Sequence, residues 1–207
     1  MTPALLIATK NRPKAEELAA LAGAAGGLLA TLALTEWEAA HHRLAEPEEG
    51  ADSFEANARA KARFYARATG LPALADDSGL SVEALGGAPG VLSARYGGPE
   101  LDDRGRSELI LANLAGSEDR RAFFTSVLAL ARPDGRSLLW TGRLDGLIAD
   151  EISGAGGFGY DPIFFHPESG CTLAQLTASQ KNQISHRARS AQAFLADLSR
   201  IRDFLAP

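Results

Sequence analysis

Cysteine is almost missing from this chain: Cys171 stands alone among 207 residues. One thiol excludes an internal disulfide framework and a four-cysteine zinc site. Long apolar runs are missing too. No uninterrupted stretch approaches the roughly 20 residues that span a bilayer. No charged start leads into a long apolar segment, so no secretory signal is apparent. A basic surplus is also lacking: 26 acidic residues outnumber 21 basic ones, for a net charge of -5. General nucleic-acid binding usually needs a basic face and is not expected. A mononucleotide needs only a few local cations, so it stays open. Repeats and low-complexity segments do not occur. What remains is ordinary for a globular protein, with 45% hydrophobic and 23% charged residues. The length suits one substantial domain over 1–207. The expectation is a cytoplasmic protein without membrane or nucleic-acid partners.

The most informative segment runs Asp76-Asp77-Ser78-Gly79, after the apolar stretch Leu71-Pro72-Ala73-Leu74-Ala75. It reads as a strand emptying into a turn at its C-terminal end, where open α/β sheets place ligands. Paired carboxylates there suit a hard cation such as Mg²⁺ arriving with phosphates; a solvated turn uses the same residue types. Near the N-terminus, Ala4–Ala8 reads as a buried strand, Thr9-Lys10-Asn11-Arg12-Pro13-Lys14 as a polar turn, and Ala15–Leu21 as a helix. Pro13 fits a first helical turn. Free N–H groups, the helix dipole and Lys14 make this a candidate anion site.

Two later segments carry further signals. Gly154-Ala155-Gly156-Gly157-Phe158-Gly159-Tyr160-Asp161 places aromatics on a glycine-rich loop, a stacking platform for a base. Pro162-Ile163-Phe164-Phe165 then reads as a strand, which argues against a Rossmann fingerprint. Ser185 reads as the N-cap of one final helix to Leu205, with His186 and Arg187 in its first turn. Elsewhere, Asp52 or Ser53 starts a helix to Thr69 on which Asn57 and Lys61 share a face. Asp102 caps a helix over Leu101–Ala115. Strands Ala122–Ala131 and Ser137–Ile148 meet at Pro133-Asp134-Gly135. Gly23–Leu34 is the least readable stretch, and His41 and His42 read as loop residues.

These segments together resemble the inosine triphosphate pyrophosphatase family, the dITP/XTP pyrophosphatases that cleave non-standard purine nucleoside triphosphates. The matching residues are Thr9-x-Asn11-x-x-Lys14, Glu48-Glu49, Ser53-Phe54-x-x-Asn57-Ala58-x-x-Lys61-Ala62, and the block from Ala75 to Tyr96. Gly156–Phe164 and Lys181-x-x-Ile184-Ser185-His186-Arg187 complete the set. They follow the family order over nearly the whole chain. Lys10, Pro13 and Gly50-Ala51-Asp52 depart from the usual pattern.

The resemblance implies an α/β fold, a mixed central sheet flanked by helices, with two lobes around a nucleotide-binding cleft. It implies Mg²⁺-dependent cleavage of ITP, dITP or XTP to the monophosphate and pyrophosphate, and a homodimer. Glu49 and Asp77 would hold the metal, and Asp77 is the favoured base; whether it serves as base, ligand or both stays open. Substrate contacts would come from Thr9, Lys10, Asn11, Arg12, Pro13, Lys14, Lys61, Ser78, Phe158, Gly159, Tyr160, Asp161, Lys181, His186 and Arg187. Of these, Lys14 and Lys61 suit phosphates. Phe158 suits stacking, and His186 and Arg187 suit hydrogen bonds to the base. Asp161 would orient the base or brace Arg187. A Maf-like pyrophosphatase and a non-enzymatic nucleotide sensor are the other two classes; the paired acids speak against the sensor.

Overall fold

The computed structural model describes residues 4–11, 14–16, 18, 30–47, 50 and 53–206. Seven described strands form one sheet: β1 (Ala4–Ile7), β2 (Ala30–Ala33), β3 (Ala73–Val82), β4 (Arg121–Ala131), β5 (Ser137–Ile148), β6 (Phe164–His166) and β7 (Cys171–Thr172). Their order is β2-β1-β3-β4-β5-β6-β7. β1 runs parallel to β2 and β3, whereas β5–β6 and β6–β7 are antiparallel, so the sheet is mixed as expected. The described helices are α1 (Leu34–Ala40), α2 (Phe54–Thr69), α3 (Asp103–Asn113), α4 (Ala178–Ile184), α5 (His186–Ala196) and α6 (Leu198–Leu205), besides short 3-10 turns. None is long and apolar enough to cross a membrane. The chain divides into two compact units. One comprises Met1–Asp77, Val127–Gly142 and Ser190–Pro207; the other comprises Ser78–Ser126 and Arg143–Arg189.

In the first unit, period-two alternation sorts side chains into two buried layers. Leu6, Ala8, Ala73, Ala75, Val127, Ala129 and Ala131 join Ala58, Ala62, Tyr65 and Ala66 of α2. The residues between them, Leu5, Ile7, Leu74, Leu128 and Leu130, join Leu18, Trp140, Phe194 and Ile201. Both faces are covered, which is why these strands read as continuous apolar runs. Alanines on both sides of the first layer let α2 approach the sheet closely. α2 starts where Ser53 Oγ accepts the Ala56 N–H at 3.1 Å and stops at Gly70, φ 71°. The helix start at Ser53 was legible in the sequence; Asp52, the other candidate, lies outside the described residues.

The second unit has one core layer, made of Leu80, Val82, Phe124, Leu144, Ile148, Ile163, Phe164 and Leu173, closed by Ile110 and Leu114 of α3. Along this part of β5, buried and exposed residues alternate, as in a half-covered sheet. Asp102 caps α3 by accepting the Gly105 N–H at 2.8 Å.

Three expectations are corrected. Asp76-Asp77-Ser78-Gly79 is not a turn: it lies inside the ten-residue β3, buried except at Ser78. Gly79 is needed there because a Cβ would collide with the Ser93 hydroxyl and lie 2.6 Å from the Gly90 carbonyl oxygen. The final helix is not continuous to Leu205; it breaks at Asp197, whose carboxylate accepts from Trp140 Nε1 at 3.0 Å. Asp161–Ile163 is a 3-10 turn, and only Phe164–His166 is strand. The hairpin is as expected, closed by the Gly135 N–H on the Arg132 carbonyl at 2.9 Å. Ala15, Glu16 and Leu18 are helical as read, and Lys14, read as the end of the polar turn, is helical too; the remainder of Ala15–Leu21 lies outside the described residues.

Candidate active site

The first unit gathers the phosphate-side candidates. Downstream of β1, Thr9 Oγ1 accepts the Asn11 N–H at 3.2 Å. Asn11 Oδ1 in turn accepts the Lys14 N–H at 3.1 Å, which caps the helical turn beginning there. Lys14 Nζ stands 3.1 Å from Asp76 Oδ2, whose side chain is 1% exposed. From α2, Lys61 Nζ donates to the Asp76 carbonyl oxygen at 3.3 Å. Two ammonium groups thus converge on one residue, beside buried Asp77. Lys10 turns elsewhere: it donates to the Leu44 carbonyl at 3.0 Å and pairs with Glu38 at 3.4 Å and Glu46 at 3.7 Å. Burial works against the charge on Glu38, but the Leu44 N–H and the Lys10 ammonium outweigh it and hold its carboxyl below the usual range. Arg12, Pro13, Glu48 and Glu49 lie outside the described residues.

The second unit gathers the base-side candidates. The glycine-rich loop is pinned by Asp161, whose Oδ2 accepts the Phe158 N–H at 2.9 Å and Lys181 Nζ at 2.5 Å. Gly159 donates its N–H to Asp103 Oδ2 at 2.9 Å. Lys181 Nζ sits 4.6 Å and the Arg187 guanidinium 5.1 Å from the Phe158 ring centroid, both within cation–π range. Arg187 Nη2 also donates to Ser78 Oγ at 2.9 Å. Asp161 therefore braces Lys181 and Phe158, rather than Arg187. Ser185 does cap α5, accepting the Ala188 N–H at 3.1 Å, and so sets the direction of its first turn. His186 is buried with its ring stacked on Phe124, 4.6 Å between centroids and 13° apart. Tyr160 belongs to the core, its hydroxyl donating to the Ser93 carbonyl at 2.8 Å. Burial pushes its phenol pKa up, so it stays a donor at any working pH.

The adjacent carboxylates fit a Mg²⁺ ion chemically, because that cation takes hard oxygen ligands and needs only one or two from protein. Among the described residues no group of three or more potential ligands is assembled. Asp76 and Asp77 are the donors on hand, and Glu49 is the further carboxylate that the resemblance supplies.

Comparison with known proteins decides the lineage. The model of the Ham1 family matches residues 5–197. This chain belongs to the Ham1 family. A relative from Aromatoleum aromaticum, named dITP/XTP pyrophosphatase, is 47% identical over 96% of this chain and 98% of its own length. Another of the same name from Geobacter sulfurreducens is 45% identical over 93% and 94%. The solved HAM1 protein of Coxiella burnetii superimposes with a TM-score of 0.86 at 38% identity, covering 96% of this chain and 99% of that one. The resemblance drawn from the motifs is upheld, as is the α/β fold.

Sequence reading of this Ham1-family chain overlooked several groups that the fold puts to use. Asp103 holds the loop at Gly159, and Ser93 serves both the Leu80 N–H and the Tyr160 hydroxyl. Asn57 reads as a helix-face neighbour of Lys61 and as part of the Ser53–Ala62 motif, with no role of its own. A compositional signal was also available. The chain has four lysines, Lys10, Lys14, Lys61 and Lys181, while arginine supplies the remaining basic residues. Each of the four side chains is at least half-buried and meets an acidic residue or a backbone carbonyl. Scarcity of lysine marks these positions as ones where a compact ammonium is used in preference to a guanidinium.

Proposed function

We propose that this chain hydrolyses non-standard purine nucleoside triphosphates (ITP, dITP and XTP) to the nucleoside monophosphate and pyrophosphate, with Mg²⁺, as a homodimer. The observation that supports this reading best is the pair of lysines converging on Asp76 next to Asp77, in a chain whose near-full-length relatives carry the name dITP/XTP pyrophosphatase.

A triphosphate brings several negative charges, and cleavage concentrates charge on the transferred group. Lys14 and Lys61 are assigned to those phosphate oxygens as point charges. Asp76 holds Lys14 in place until substrate competes for it. Asp77 accepts a proton from the attacking water. The water oxygen bonds to the α-phosphorus, the bond from that phosphorus to the bridging oxygen breaks, and pyrophosphate leaves. Mg²⁺, when bound, supplies charge neutralisation and orients the phosphates. No covalent intermediate is required.

Phe158 is assigned to stacking under the base, its ring position preset by Asp161. Arg187 and His186 are assigned to hydrogen bonds with it. Hypoxanthine and xanthine present an acceptor at position 6, which a guanidinium matches because it donates only. Adenine presents an amino group there and leaves the donor unpaired, a penalty of roughly 1–3 kcal/mol.

The deciding experiment is pyrophosphate release from ITP, XTP, GTP and ATP, with and without Mg²⁺. Preference for ITP and XTP with metal dependence supports the reading. Release of orthophosphate in place of pyrophosphate, or a preference for ATP, rejects it. Light scattering of the same sample reads the dimer.

A further inference from the structure

Asn57 holds a feature of the first unit that neither the core nor the assigned phosphate groups explain. It is only 4% exposed. Its side-chain Nδ2 is buried and has no hydrogen-bond partner among the described residues. Its backbone N–H is already spent on the Ser53 carbonyl at 3.0 Å. An amide donor buried without a partner costs about 1–3 kcal/mol. Leucine or alanine at the same place would avoid that cost, and buried alanines already line the neighbouring turns at Ala58 and Ala62. A folded chain that keeps such a donor keeps it for an acceptor that arrives from outside.

The surroundings say what that acceptor is. Asn57 and Lys61 are four residues apart on α2, so they share a face. Lys61 Nζ reaches the Asp76 carbonyl, and Lys14 Nζ pairs with the Asp76 carboxylate. Asn57 also lies in the first turn of a 16-residue helix, the positive end of its dipole. The groups on this side are therefore an amide N–H, two ammonium ions and a helix N-terminus. All of them favour an anionic oxygen, and the carboxylates of Asp76 and Asp77 beside them suit the cation that accompanies a phosphate. We propose that Asn57 Nδ2 donates to a phosphate oxygen of the substrate, as a third phosphate-binding side chain one helical turn from Lys61. This rests on the nucleotide reading above for the substrate and adds a residue to it.

The test separates a phosphate contact from a packing role. Asn57→Leu keeps the volume and removes the amide; Asn57→Asp keeps the shape and reverses the electrostatics. Unfolding temperature without ligand, and calorimetric affinity for inorganic tripolyphosphate and for inosine, are measured for both variants. The expected result for Asn57→Leu is an unfolding temperature equal to or above wild type, at least tenfold weaker tripolyphosphate binding, and unchanged inosine binding. Asn57→Asp should weaken tripolyphosphate further and leave inosine alone. A lower unfolding temperature for Asn57→Leu with tripolyphosphate affinity intact would overturn the inference and make Asn57 a packing residue. If Asn57→Leu does not fold, the Asp variant decides: tripolyphosphate affinity within threefold of wild type rejects the contact. Wild-type protein that does not bind tripolyphosphate rejects it too. Because this probe carries no base, a wild-type enzyme that prefers a different nucleoside triphosphate would defeat the substrate reading and leave the Asn57 result standing.

Discussion

Replacing Asp161 by alanine should be one of the most damaging single changes in the second unit. Asp161 is 2% exposed, and its carboxylate takes two donors on one oxygen, Lys181 Nζ at 2.5 Å and the Phe158 N–H at 2.9 Å. Lys181 is itself 7% exposed. Asp161→Ala leaves an ammonium buried without its counter-charge, a loss of about 3–5 kcal/mol. The orphaned Phe158 N–H would add about 1–3 kcal/mol if nothing relaxed. The two costs overlap, since water reaching one group reaches the other, so a total near 3–5 kcal/mol is expected. For a chain of this size that corresponds to a fall of about 6–20 °C in Tm. Lys181→Met should soften the damage, because it removes the charge that Asp161→Ala strands. The double variant is therefore expected within about 2 kcal/mol of wild type. Denaturant unfolding of wild type, both single variants and the double variant completes the cycle. A loss below about 1 kcal/mol for Asp161→Ala, or strict additivity in the double variant, would refute the claim that this pair is a coupled buried unit.

Asp77→Asn should lower kcat at least tenfold, more than about 1.4 kcal/mol in the barrier, while thermal unfolding and triphosphate affinity change little. Retention of more than a tenth of wild-type turnover contradicts its role as base. Arg187→Ala should lower the kcat/KM ratio of ITP over ATP about tenfold, mainly through ITP; an unchanged ratio with both substrates reduced would move base reading to Phe158. Glu38 titrates below its ordinary 4.5 in the folded chain. Its contribution to stability is therefore complete above pH 4.5 and is lost as pH falls through the lower folded value. Lys10→Met should flatten the decline of Tm below that pH and cost only about 1 kcal/mol at neutral pH, since Lys10 is partly exposed. A tenfold rise in KM for ITP in Lys10→Met would instead place Lys10 on the substrate.

The sequence by itself settles what short-range chemistry settles. Ser53, Asp102 and Ser185 cap helices because a side-chain oxygen within three residues of a free N–H needs no distant partner. Pro133-Asp134-Gly135 makes a hairpin for the same reason, since Gly135 takes φ 91° without cost. The motif blocks named the lineage, and Asn11 closing on the Lys14 N–H follows from a spacing of three. Tertiary structure decided whatever depends on partners far along the chain. Asp76-Asp77-Ser78-Gly79 has the composition of a turn, yet it is strand because its neighbours bury it on both sides and Ser93 fits against Gly79. Asp161 finds Lys181, 20 residues away, and Lys10 finds Leu44, 34 residues away. The last helix breaks where Asp197 meets Trp140, 57 residues distant. Local pattern cannot weigh those contacts, because each exists only after the intervening chain has folded; the unpaired amide of Asn57 became visible for the same reason, once burial had removed water from it.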